Sequence, residues 1–253
     1  MPCRKFSRAG AFAVCIIMLV LCCSCSGADN KEPDFNGAVI ALKPGGYYAH
    51  AAKEYTAQGA LLENYSTVSD AVSAFEAGRA DYIIANEYEA ALYTASNPKL
   101  EIIDTCSYKT AFYGIFHNNG EKLRSFNSAI KQLTENGTVE EIKAAALSGS
   151  VFTKTALKGE NGKLRVALDA VYAPLSAVNS NGEASGVNAD IANEVCAVTG
   201  MGLDIRVLSF DEAFEALLAD EIDVILTATE NSSARKSIVY SDCCFEMGYA
   251  LLG

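Results

Sequence analysis

Two stretches far apart in this chain repeat one pattern, and that repeat restricts the fold more than any other feature. Thr67-Val68-Ser69-Asp70-Ala71 runs through Phe75-Glu76-Ala77-Gly78 to Asp81-Tyr82-Ile83-Ile84. Ser209-Phe210-Asp211-Glu212-Ala213 runs through Leu217-Leu218-Ala219-Asp220 to Asp223-Val224-Ile225-Leu226. Ala71 answers Ala213, Phe75 answers Leu217 and Asp81 answers Asp223, all at one offset. Each copy reads as an amphipathic helix followed by an apolar strand. Two such units predict two pseudo-symmetric α/β lobes facing one cleft.

The flanking residues extend both units. Leu164 to Leu168 is a mostly apolar, weakly alternating run, as a strand buried in an α/β sheet would be. Asp169 ends it at the carboxyl edge, where ligands of open α/β sheets bind. Asn181-Gly182 is a turn signal, Asn188 or Asp190 can cap the helix running to about Val198, and Gly200 stops it. A strand from Leu203 to Leu208, a helix from Phe210 to Ala219 and a strand from Asp223 to Thr229 follow. The alternation predicts a parallel sheet with right-handed crossovers. In the first half, Val39 to Leu42 forms a short strand. Lys43-Pro44-Gly45-Gly46 then leads into a helix from about Tyr47. That turn is either an anion-friendly nest of backbone N–H groups or a plain strand-to-helix connection. Leu100 to Asp104 and Ala111 to Phe116 read as strands. Leu123 to Leu133 and Val139 to Ala146 read as helices joined at Asn136-Gly137-Thr138.

Half of the chain is hydrophobic, a share raised by its N-terminus. Arg4, Lys5 and Arg8 precede an apolar run from Ala9 to about Leu21, then Cys22-Cys23-Ser24-Cys25-Ser26-Gly27. The run is short for a membrane span and has the form of an export signal. Its ending resembles a bacterial lipobox, which implies acylation of Cys25, with Cys23 as the alternative, and a lipid anchor in the membrane. Removing residues 1–24 deletes three basic and no acidic groups, so the formal net charge moves from −11 to −14. Such a chain lacks the basic patches that neutralise nucleic-acid phosphates. Cys106, Cys196, Cys243 and Cys244 have no metal-ligand spacing. Cys196 is expected to pack inward, whereas a disulfide from Cys243 or Cys244 is left open. No cofactor or metal is called for.

The order of residues from Leu164 to Asp169, through Tyr172-Ala173-Pro174-Leu175, Gly186-Val187-Asn188-Ala189-Asp190 and Asp223 to Thr229, to Arg235 and Tyr240-Ser241-Asp242 resembles the first lobe of the family 3 (amino-acid type) extracellular solute-binding proteins of ABC importers. Residues Ala111 to Ala146 are similar to that family's C-terminal part, where a strand re-enters the first lobe and two helices pack on it. The resemblance implies a periplasmic-binding-protein-like type II fold, α/β, with two lobes, a hinge and an interlobe cleft, in circularly permuted order. The expected boundaries are a lipoprotein signal at 1–24, a tether at 25–36 and the second lobe at 37–110. The closing part of the first lobe at 111–147, a linker at 148–162 and the opening part of the first lobe at 163–253 complete it. A tandem pair of domains cut short is the alternative.

The same resemblance implies the site. Arg235 would fork onto a ligand carboxylate, a geometry that suits guanidinium. Tyr172 and Phe210 would wall the ligand side chain, Asp169 would contact the side chain or amine, and Ala228 belongs to the same first-lobe set. Lys43, Gly45 and Gly46 would complete the contacts from the other lobe. Two departures stand out. Asn86 replaces the aspartate that commonly pairs with the ligand ammonium, with Glu87 as a substitute acid. Glu230 falls near the threonine expected before the arginine, with Thr227 and Thr229 nearby. The implied function is extracytoplasmic capture of a small polar solute, of the amino-acid kind, for an ABC permease. A sensory or decayed binding module is the alternative, and a dehydratase-like enzyme is a further one. Against the enzyme, His50 and His117 have no recognisable nucleophile partner.

Overall fold

The computed structural model describes residues 33–118, 120–170, 172–229 and 238–253. Cys25, Glu230 and Arg235 lie outside them, so the expectations of an acylated Cys25 and a carboxylate-binding Arg235 do too. Asp34–Gly253 form one compact unit. In chain order, β1 (Val39–Leu42), α1 (Gly46–Ala51), α2 (Lys53–Thr56), β2 (Leu61–Asn64), α3 (Val68–Glu76), β3 (Tyr82–Asn86) and α4 (Glu87–Ser96) lead into β4 (Ile102–Phe116). Then come α5 (Glu121–Glu135), α6 (Thr138–Leu147), β5 (Lys163–Leu168), the short β6 (Ala177–Val178) and β7 (Ala184–Ser185), and α7 (Val187–Thr199). β8 (Gly202–Val207), α8 (Phe210–Leu218), β9 (Val224–Thr229), β10 (Val239–Tyr240) and β11 (Phe245–Leu252) complete the described chain.

The main sheet has the order β2-β1-β3-β11-β4-β9-β5-β8. Its two ends are parallel, β2-β1-β3 and β9-β5-β8. The middle is antiparallel, because β11 pairs with β3 and β4, and β4 pairs with β9. The runs read as strands from Leu100 and from Ala111 are therefore one fifteen-residue strand, β4, which crosses the expected boundary at residue 110. In the C-terminal group both sheet faces are covered. Val166 and Leu168 point into the core shared with α7, and Ala167 with Ile225 points into a smaller core under α8. Burial on both sides explains why the strand reads as a nearly continuous apolar run.

The sequence echo extends to hydrogen bonds. Thr67 and Ser209 each cap their helix in a reciprocal box, with Asp70 and Glu212 respectively, which satisfies backbone donors that a helix start leaves free. The Asp81 carboxylate accepts the Val39 N–H at 2.8 Å, and the Asp223 carboxylate accepts the Arg165 N–H at 2.9 Å. Asp223 differs in gathering cations: Arg165 Nη2 lies 2.6 Å and Lys122 Nζ 2.7 Å from its oxygens. Burial opposes the charge of Asp223, but these hydrogen bonds outweigh it and hold its pKa below the ordinary carboxylate value.

Two expectations need correction. Neither Asn188 nor Asp190 caps α7; Gly186 occupies that position without a side-chain bond. The buried Asn188 instead donates to the Leu175 carbonyl and the Ser176 hydroxyl, both at 3.2 Å, pinning the preceding loop. The 148–162 segment is a docked strap as well as a connection. Phe152 and Leu157 pack against the core, and Lys154 pairs with Asp190 at 3.0 Å. The Thr155 N–H and hydroxyl donate to the buried Glu194 carboxylate at 2.8 and 2.7 Å. Cys196 is fully buried as expected, and Cys106, Cys196, Cys243 and Cys244 are free thiols.

Asp223→Asn removes charge-assisted bonds to Arg165 and Lys122, each flanked by solvent. It should lower unfolding stability at neutral pH by about 2 kcal/mol in urea titrations. Because the folded pKa is depressed, that stabilisation is complete above the unfolded value of about 3.9. It is lost as pH falls through the folded value, so the difference between wild type and variant should vanish in acid.

Candidate functional site

The carboxyl ends of β1 and β5 face each other across the middle of the sheet. Between them lies a cavity of about 350 Å³ lined by eleven residues. The β1–α1 connection and the start of α1 supply Lys43, Pro44, Gly45, Tyr47 and Tyr48. The opposite wall is Asp169, just past β5, with Tyr172 and Phe210. Thr110 and Phe112 of β4 and Met247 of β11 form the floor. Thr110 pairs with Met247 and Phe112 with Phe245 in the β4–β11 ladder. Phe112 and Phe245 stack at 4.7 Å, and the Thr110 hydroxyl meets that of Tyr249 at 2.9 Å. The crossing strands thus make a continuous hydrogen-bonded base.

Of the residues singled out in the sequence, Lys43, Gly45, Asp169, Tyr172 and Phe210 come together on this cavity. Phe210 is 44% exposed at the first turn of α8, so it is a wall and not a core residue. Gly46 starts α1 but is not in the lining. Ala228 lies on β9, its backbone opposite Tyr113 of β4. Asn86 and Glu87 are also absent from the lining. The reason for Asn86 is local: its Oδ1 accepts the N–H groups of Tyr88 and Glu89 at 3.0 and 2.9 Å, capping α4. Its Nδ2 donates to the Tyr48 hydroxyl at 3.3 Å, and the residue is 4% exposed. Glu87 points away, 3.9 Å from Lys143 on α6 and beside Gly248 of β11.

Sequence reasoning missed Tyr47, Tyr48, Thr110, Phe112, Met247 and the supporting Glu89. The Glu89 carboxylate accepts from the Tyr48 hydroxyl at 2.7 Å and from the Asn86 N–H at 3.2 Å. An Asn followed three residues later by Glu is a readable helix-start signal, and it could have revealed both α4 and this role for Asn86. Burial and the neighbouring Glu89 raise the Tyr48 pKa, so it remains a neutral phenol. The Tyr172 pKa is also raised by burial. The Lys43 ammonium lies 5.9 Å from the Tyr48 ring centre and 5.4 Å from that of Tyr172, within cation–π range of both walls. The backbone of Pro174 and Leu175 packs closely on Gly186, whose φ of 100° and tight neighbours exclude a side chain. A Cβ there would run into the carbonyl oxygens of Pro174 and Leu175.

What this arrangement can do is hold a small molecule between two walls; no group of His, Cys, Asp and Glu among the described residues could hold a metal ion. Residues 164–247 match the model of the bacterial extracellular solute-binding proteins, family 3. A probable histidine-binding protein of Neisseria gonorrhoeae is 27% identical over 121 residues, 43% of this chain and 45% of that protein. The chain therefore spans about half the length of the curated relative that it matches. Among solved structures, the arginine-bound domain 1 of TmArgBP is 32% identical, covering 35% of this chain and 79% of that one, with a TM-score of 0.32. The second substrate-binding domain of a proposed amino acid ABC transporter from Streptococcus pneumoniae is 12% identical over 85% of this chain and 84% of that one, with a TM-score of 0.49. The match over residues 164–247 and the sheet topology, two parallel groups bridged by β4 and β11, agree on a periplasmic-binding-protein-like α/β fold. Among the described residues no helix is long and apolar enough to cross a membrane.

Tyr48→Phe removes the hydroxyl that links Glu89 and Asn86 while keeping the ring under Lys43. It should lower stability by about 1–2 kcal/mol, read by thermal or urea denaturation.

Proposed function

We propose that this chain captures a small solute of the amino-acid kind outside the cytoplasm and delivers it to an ABC permease, held to the membrane by a lipid on Cys25. The observation that carries this reading is the cavity with walls from both lobes, Lys43 on one and Asp169, Tyr172 and Phe210 on the other. A solute touching both walls stabilises the closed arrangement by its differential contacts, and β4 with β11 is the hinge. Arg235 would grip the carboxylate and Ala228 would border it, as the family resemblance implies.

In this reading the chain order is a circular permutation: second lobe, closing part of the first lobe, strap, opening part of the first lobe. Its support is that β4, α5 and α6 share one core with β5, α7 and β9. Two truncated tandem domains would have no reason to complete each other in this way. The docked strap agrees, because Thr155 satisfies a carboxylate buried on α7. Chain ends can be relocated to a hinge when core contacts are left intact.

A thermal-shift screen of the mature protein against amino acids, small peptides and dicarboxylates tests the function. A ligand at one hundred times its Kd adds about 2.7 kcal/mol, which should raise the Tm by roughly 5–10 °C for a domain of this size. Arg235→Ala should abolish that shift; an unchanged shift would remove Arg235 from the site. Stabilisation by no compound favours a sensory or decayed module, and turnover of one favours an enzyme. Mass spectrometry of the mature N-terminus should find diacylglycerol on Cys25, and acylated Cys23 would move the anchor.

A further inference from the structure

We infer that Asn86 and Glu89, which stand behind the cavity lining, are the positioning residues of one of its walls: through the Tyr48 hydroxyl they fix where Lys43, Tyr47 and Tyr48 meet the solute. The inference rests on the reading of the cavity as the solute site and deepens it by naming what holds that wall in place. The wall is the β1–α1 connection and the start of α1. Its own sequence does little to fix it there. α1 has six residues, too few to be stable by its own backbone bonds, and Gly45 precedes it without a side-chain cap. A segment of that kind takes its place from tertiary contacts, and Tyr48 supplies them. It is 4% exposed, and its ring meets the Tyr249 ring of β11 edge-on at 5.4 Å.

The Tyr48 hydroxyl reaches the start of α4. It donates to Glu89 Oε2 at 2.7 Å and accepts from Asn86 Nδ2 at 3.3 Å. The same two residues form the capping box of α4, in which Asn86 Oδ1 accepts the Tyr88 and Glu89 N–H groups and Glu89 Oε2 accepts the Asn86 N–H. The box holds both side chains by the helix start itself, so it is a fixed post to which Tyr48 is tied by a charge-assisted bond. One carboxylate oxygen accepts both the phenol and the backbone N–H, and a glutamine carbonyl oxygen has lone pairs for the same two bonds. An aspartate at position 86 is different. It still caps the helix, but it offers Tyr48 no donor and stands as a like charge beside Glu89. Tyr48 in turn bears on Lys43, whose ammonium lies 5.9 Å from its ring centre. A displaced ring therefore moves the resting place of that ammonium as well.

Calorimetric titration of the mature protein with each of the common L-amino acids identifies the one bound most tightly, and that amino acid is the probe for the variants. Glu89→Ala should weaken it about fivefold or more, as the loss of one hydrogen bond would. Glu89→Gln should bring affinity back to within about twofold of wild type, because the acceptor is restored. Tyr48→Phe should weaken binding at least as much as Glu89→Ala, and adding Glu89→Ala to it should cost no further affinity, since both break one link. Asn86→Asp should weaken binding too. Circular dichroism and thermal denaturation verify the folding of each variant, and Tyr48→Phe with Asn86→Asp carries the test if Glu89→Ala does not fold. Tighter binding by Asn86→Asp, the outcome expected if residue 86 touched a solute ammonium, overturns the inference and leaves the solute-binding reading standing. So does affinity indifferent to Glu89→Ala, or a further loss when it is added to Tyr48→Phe. Failure of every amino acid to bind the folded wild-type protein overturns both.

Discussion

The structure depends on one strand belonging to two places at once. β4 pairs with β11 along most of its length and with β9 near its end, and β11 in turn pairs with β3. Two parallel groups that could each be a separate small sheet thereby become one. An unpaired backbone group inside a protein costs about as much as a lost hydrogen bond, so this ladder cannot part without exposing its ends to solvent. It also sets the cavity floor, since Thr110, Phe112 and Met247 project from the segment where β4 and β11 run between the two parallel groups.

On that floor the two walls are asymmetric although the units behind them echo each other. Asp81 and Asp223 perform the same backbone tie at equivalent points, yet just the second collects Arg165 and Lys122. At the cleft, one wall presents an ammonium held near two phenol rings and the other presents a carboxylate at the end of β5. The phenols are polar at their tips and apolar along their bodies, so they line the cavity without adding charge. Tyr48 in particular stays neutral because burial and Glu89 both oppose its ionisation.

Much of this was legible because it rests on local rules. Val39 to Leu42 is β1 as read, and the helices and strands read between Leu164 and Thr229 agree to within a residue or two, whereas β11 (Phe245–Leu252) was not read. Gly200 stops α7 in the left-handed conformation that glycine adopts without penalty. Asp169 was legible because ligands gather at the carboxyl ends of parallel strands, whereas Lys43, Tyr172 and Phe210 were singled out by the family resemblance. Asn86 shows where such reading fails. Its place at the end of β3 suits a ligand contact and a helix cap equally well, and the Glu three residues later decides for the cap. Glu87, one residue on, projects from the other side of α4 toward Lys143, because neighbours in a helix do not share a face.

The sequence by itself determined the α/β alternation, the two echoed units and the residue types available to a cleft, since periodicity, caps and turn chemistry act over a few positions. Only the tertiary structure decided that Leu100 to Phe116 forms one strand, that the strap from Ser148 to Gly162 docks on Asn193 and Glu194, and that Thr110, Phe112 and Met247 become a floor. Those outcomes depend on pairing and burial between segments that lie 38 residues apart for the strap and more than a hundred apart for the strand and the floor, which no local window contains. The pairing of walls is of the same kind: Lys43 and Asp169 are strangers in sequence, and the sheet makes them opposite walls.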